Sequence, residues 1–160
     1  MITGGTGGAN TNKSGLSFEA DNDLKSWAIE NNIIYGSKSE IKKFAKDYFN
    51  INSKERWPNQ SRGFQPDAFL FKNDKLTIIE MKNQNSTGST DVKIVAGDFY
   101  LSMYNKLIEG TNVNLEYHFL LSKWFKDKKY IDYTEYSKKF NINSYFDINE
   151  LKKYLNKRHE

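Results

Sequence analysis

The chain has 160 residues, with no cysteine and with 24 Lys and Arg against 20 Asp and Glu, for a net charge of +4. One domain fits that length, and a disulfide framework, a cysteine–zinc site, an iron–sulfur cluster and a cysteine nucleophile are excluded. The positive balance suits a polyanionic partner, although Lys, Asn, Ile and Tyr all have AT-rich codons and part of the charge can be compositional.

Residues 1–14 hold four glycines among small polar residues, and we read them as a tail or arm. The stretch Gly7 to Ser14 almost fits a phosphate-cradling loop, but Asn12 stands where the second glycine belongs and no strand can feed it. Ser14 or Ser17 caps a predicted helix to about Glu30, with Leu16, Ala20, Leu24, Trp27 and Ala28 at helical spacing, and Asn31-Asn32 ends it. A short apolar piece, Ile33 to Tyr35, precedes a second helix from Ser37 to about Asn50, with Ile41, Phe44, Ala45 and Tyr48 on one face. Residues Ile51 to Gln65 read as polar and irregular.

Asp67 to Phe71 and Lys75 to Asn83 read as two strands around an Asn73-Asp74 turn, which predicts a hairpin. After a loop with Gly88 comes a predicted helix from about Asp91 to Ile108, with Ile94, Val95, Phe99, Met103, Leu107 and Ile108 inward. Asn114 to Ser122 is nearly continuous in apolar character and is expected to be a central strand. The remainder holds Trp124 to Tyr136, a short strand at Tyr145-Phe146 and a last helix from Asp147 to Asn156. The order predicts one α/β domain over residues 15–160, a mixed central sheet flanked by helices. No apolar run reaches roughly 18 residues and none follows Met1 as in a signal peptide. A soluble, cytoplasmic protein with no membrane partner is therefore expected.

The chemistry concentrates in Gln65-Pro66-Asp67 and Glu80-Met81-Lys82. Glu80 and Lys82 are two apart in a strand and so share a face. Asp67 can lie beside Glu80 across the hairpin. Two carboxylates that close repel unless a cation lies between them, and hard oxygen ligands suit Mg²⁺. His118, between Tyr117 and Phe119, reads as a core histidine, and His159 as part of the tail.

Pro66-Asp67…Glu80-Met81-Lys82 resembles the signature of the PD-(D/E)xK nucleases, which include many type II restriction endonucleases, Holliday-junction resolvases and repair nucleases. Glu80 to Lys93 is similar to the extended form in some restriction enzymes, where E-x-K is followed by Gln, a Gly-Ser pair and Lys. The N-terminal G-G-x-N-T-x-x-S-G-L-x-F-E, ending at Glu19, also looks like the opening of such enzymes. The resemblance implies a restriction-endonuclease-like fold and the following roles. Asp67, Glu80 and the carbonyl of Met81 bind Mg²⁺, for which Mn²⁺ can substitute. Lys82 orients or deprotonates the attacking water and stabilises charge on the phosphate. Glu19 is an accessory acid that reaches the metal through water. Gln84 holds the scissile phosphate or a metal water, and Lys93 and Ser89 contact DNA.

Arg62, with Trp57 and Pro58, is expected to line the DNA cleft, where an arginine reads guanine or binds phosphate. The distant His118 and His159 argue against a histidine-metal nuclease. The expected activity is Mg²⁺-dependent hydrolysis of double-stranded DNA by a homodimer, sequence-specific as in type II restriction. A junction resolvase, a repair nuclease or an inactive DNA-binding module on the same fold are the alternatives.

Overall fold

The computed structural model describes residues 16–84 and 90–159, with the backbone alone for residues 16–19 and 90–92. The glycine-rich segment 1–14 and Ser89 lie outside the described residues. The elements in chain order are α1 (Leu16–Glu30), β1 (Ile34–Gly36), α2 (Glu40–Phe49), α3 (Ser53–Arg56), β2 (Ala68–Lys72), β3 (Lys75–Lys82), α4 (Thr90–Val95), α5 (Gly97–Leu107), β4 (Asn114–Leu121), α6 (Ile131–Lys138), β5 (Ser144–Tyr145) and α7 (Ile148–His159). Two 3-10 turns, Lys123–Lys126 and Lys128–Tyr130, join β4 to α6.

The strands form one five-stranded sheet in the spatial order β1-β2-β3-β4-β5. β2 pairs antiparallel with β1 on one side and with β3 on the other, whereas β4 runs parallel to β3 and to β5. Asn73 and Asp74 both adopt left-handed φ, at 51° and 58°, as a tight two-residue hairpin turn demands. The hairpin therefore closes in the expected register, with Lys72 opposite Lys75 and Ala68 opposite Ile79.

Alternation along β3 and β4 feeds two cores, one on each face of the sheet. On one face Leu76, Ile78, Tyr117, Phe119 and Leu121 pack with Phe69 against α2, α4 and α5. On the other, Ile79, Leu120, Ala68 and Leu70 pack against Ala20, Leu24 and Ala28 of α1 and Leu151 and Leu155 of α7. That two-sided burial explains the apolar character of β4, but β3 holds the centre of the sheet and β4 lies next to the short edge strand β5. Among the described residues no helix is long and apolar enough to cross a membrane.

Several local expectations are corrected. The helix expected over Asp91–Ile108 is two helices, broken at Ala96-Gly97. A Cβ on Gly97 would meet the Phe119 ring at 3.0 Å, so the backbone here lies tight against β4. Phe99 is 51% exposed instead of inward. Tyr48 likewise faces solvent. The segment read as irregular contains α3, capped by Asn52, whose side chain accepts from the Lys54 amide at 3.1 Å. Trp57 is core, not cleft: it is 3% exposed and its indole N–H donates to the Met103 carbonyl at 2.9 Å. α7 runs on to His159, which is buried and not part of a loose tail.

His118 is a core histidine, as expected, and belongs to a network that pins α7 to the sheet. The Asn143 amide donates to His118 Nδ1 at 3.1 Å, so the ring proton sits on Nε2, which faces Glu116 Oε2 at 3.5 Å. Glu116 also accepts from the Tyr154 hydroxyl at 3.0 Å and from the Arg158 guanidinium. Burial by itself would raise the Glu116 carboxyl. The hydrogen bonds from His118, Arg158 and Tyr154, with the Arg158 charge, outweigh it and bring the group down to about 2. A depressed carboxyl stabilises the fold above its unfolded value, and that contribution is lost as pH falls toward its folded value. Glu116→Gln should therefore cost about 1–3 kcal/mol at neutral pH. The gap from wild type should close between about pH 4.5 and 2, as followed by chemical denaturation across that range.

Candidate functional site

Extending the hairpin register by one pair beyond Ala68 and Ile79 sets Asp67 opposite Glu80. Asp67, Glu80 and Lys82 all project to the face that carries α2, α4 and α5, by the parity of Phe69 and Ile78 in that core. The three converge at the end of β3, where β2 has already stopped.

Each carboxylate is held. Asp67 Oδ2 accepts from the Met81 amide at 2.8 Å, which fixes the carboxylate beside the strand. Asp67 Oδ1 lies 2.5 Å from Lys38 Nζ, and Glu80 Oε1 lies 2.5 Å from Lys82 Nζ. Glu80 and Lys82 are both mostly buried, with side chains 20% and 18% exposed. Burial pushes the Glu80 carboxyl up; the Lys82 charge pulls it down and the Asp67 charge raises it again, leaving it above the usual carboxylate range. The floor beneath is aromatic. Tyr104 and Tyr117 stack with centroids 6.2 Å apart. Burial raises both phenols, and the Glu80 charge adds to it.

This donor set fits a hard divalent cation. Two carboxylates face each other across the hairpin, and the carbonyl of Met81 points to the same strand edge as its amide. Among the described residues no group of three or more acidic or histidine side chains converges, so such an ion would keep several waters or substrate oxygens.

The remaining predicted residues are more dispersed. Glu19 lies in α1, and its side chain is outside the described residues. Asp21 of α1 accepts a hydrogen bond from the Tyr35 hydroxyl, on the α1 face of the sheet. β3 ends at Lys82, so Gln84 does not continue its face; Gln84 is buried, and its backbone amide and carbonyl both meet Ser122 Oγ, at 3.2 and 3.3 Å. Lys93 is exposed on α4, and Arg62 is exposed in the loop before β2.

Lys38 escaped sequence reasoning. It is far from the motif in the chain, and no spacing rule links it to Asp67. The signal lies in the backbone: the Lys38 amide donates to the Pro66 carbonyl at 2.8 Å, which brings the β1–α2 loop beside the motif.

No protein-family model matches this sequence, and no curated protein or solved structure is significantly similar to it.

Proposed function

We propose that this protein is a Mg²⁺-dependent endonuclease of the restriction-endonuclease-like fold that hydrolyses double-stranded DNA at a short fixed sequence. The observation that carries the reading is the opposition of Asp67 and Glu80 across the β2–β3 hairpin, with Lys82 on the same face. An α/β domain can hold many activities, so the argument rests on these three side chains and not on the architecture.

Asp67, Glu80 and the Met81 carbonyl would hold the ion, which when bound supplies Lewis-acid stabilisation of phosphate charge and makes water more acidic. Met81 keeps Asp67 in place through its amide. Lys82 places a fixed positive charge where the phosphate gains negative charge, and it can orient the attacking water. The water oxygen adds to phosphorus, the opposite P–O ester bond breaks, and the leaving oxygen takes up a proton. Mn²⁺, also a hard ion, can replace Mg²⁺. Cutting both strands at one site requires two copies of this site, so the reading includes a homodimer working in the cytoplasm.

The test is digestion of long linear duplex DNA, with Mg²⁺ or with chelator, followed by sequencing of the ends. Fixed ends that appear only with Mg²⁺ are expected. Intact linear DNA beside a cleaved four-way junction would move the activity to junction resolution. No cleavage of either substrate would overturn the nuclease reading.

A further inference from the structure

We propose that Lys38 is an exchangeable counter-cation of this site: it neutralises Asp67 when no divalent ion is bound, and moves to a backbone phosphate of the DNA when one is. The proposal rests on the nuclease reading above.

The two site lysines are built differently. Lys82 belongs to β3, is 18% exposed and pairs with Glu80 two residues away on its own strand. Lys38 comes from the β1–α2 loop, and its side chain is 61% exposed although its tip lies 2.5 Å from Asp67 Oδ1. Its backbone, by contrast, is anchored: φ is 53° and its amide bonds the Pro66 carbonyl, one residue before Asp67. A fixed base with a long, solvent-facing side chain gives an ammonium that stays at the site but can change partner.

The partner has to change when a cation binds. Asp67 Oδ2 is taken by the Met81 amide, so Oδ1, the oxygen that Lys38 occupies, is the one open to an ion. Two cations sharing that oxygen would repel. Without an ion, Asp67, Glu80, Lys38 and Lys82 balance; adding two positive charges leaves an excess that a phosphate diester relieves. Lys38, displaced at the rim, has that phosphate as its nearest anion.

Two measurements on the full chain test this, with Lys38→Gln, Lys38→Asn and Lys38→Arg. Asparagine accepts left-handed φ readily, so a folded, uncharged variant is available even if glutamine disturbs the loop. In calorimetric titration with Mn²⁺ alone, Lys38→Gln and Lys38→Asn should bind about 2- to 5-fold more tightly than wild type, the effect of removing an exposed competing ion pair. Lys38→Arg should show no such gain. With a short duplex of mixed sequence and Ca²⁺ in place of Mg²⁺, the salt dependence of binding should be smaller by about one unit of log–log slope in the uncharged variants, and restored in Lys38→Arg. Mn²⁺ affinity that the uncharged variants leave unchanged, or an unchanged slope, overturns the role of Lys38 while leaving the nuclease reading in place. No Mn²⁺ uptake by wild type, or uptake that Asp67→Asn does not weaken, overturns the nuclease reading and this proposal with it.

Discussion

Under the nuclease reading, Lys82→Met should lower the rate of DNA cleavage by roughly 10²- to 10³-fold, the range for removing one preorganised charge from a developing anion. Asp67→Asn and Glu80→Gln should lower it at least as far, because each removes one anionic half of the pair proposed to hold the metal. These replacements keep shape. Asp67→Asn retains an oxygen for the Met81 amide, whose bond to Asp67 spans 2.8 Å in the wild type. Loss of cleavage should therefore come without loss of fold, read as an unchanged circular dichroism spectrum.

Glu80→Gln carries a second readout. Burial raises the Glu80 carboxyl, with the Lys82 charge opposing that shift and the Asp67 charge adding to it. A raised carboxyl stabilises the fold while it is protonated, and that contribution is lost as pH rises through its folded value. Glu80→Gln should thus be no less stable than wild type at neutral pH. A variant of Asp67, Glu80 or Lys82 that keeps near-normal cleavage removes that residue from the mechanism.

Under the same reading, affinity for duplex DNA should fall by about 10³-fold or more between roughly 50 and 200 mM salt, the behaviour of a protein that meets about six or more phosphates. The net charge of +4 gives only the sign of this effect. Its location is suggested by the 3-10 turns after β4, where Lys123, Lys126, Lys128 and Lys129 are all exposed. The Ser122 amide donates to the Lys82 carbonyl at 2.9 Å, so these turns leave the sheet at the same end as the carboxylate site. Lys126 lies 5.6 Å from the Phe146 ring centroid and Lys129 lies 5.1 Å from that of Trp124, contacts that limit the wandering of both side chains. Replacing Lys123, Lys126 and Lys128 by Gln should lower the log–log salt slope by about one for each lysine that meets a phosphate, and weaken binding evenly across sequences. An affinity that stays flat with salt would identify the positive charge as compositional.

The two apolar runs around Asn73-Asp74 contain all that a hairpin needs, so the register that opposes Asp67 to Glu80 was legible in local sequence. So was the end of α1, where Asn32 takes a left-handed φ of 55° as a helix terminator of its type can. The break between α4 and α5 was not, because apolar spacing runs on through it, and the close approach of Gly97 to the Phe119 ring on a distant strand leaves no local signal. Trp57 was misplaced for a related reason. An aromatic in a polar stretch reads as surface until the Met103 carbonyl supplies the partner that lets its indole be buried.

By itself, then, the sequence determined the elements that local rules govern: the hairpin, its two-residue turn, the helix faces built on Leu24, Ile41 and Phe44, and the spacing that puts Glu80 and Lys82 on one side of a strand. Such features depend on backbone sterics and on periods of a few residues, which act within a short window of chain. Tertiary structure alone decided which strand is central, where Gln84 goes once β3 has ended, and which cation neutralises Asp67. Lys38 reaches that carboxylate only because β1 pairs with β2, setting Gly36 against Phe69 and the following loop against Pro66. The two residues are 29 apart in the chain, and no local period could have joined them.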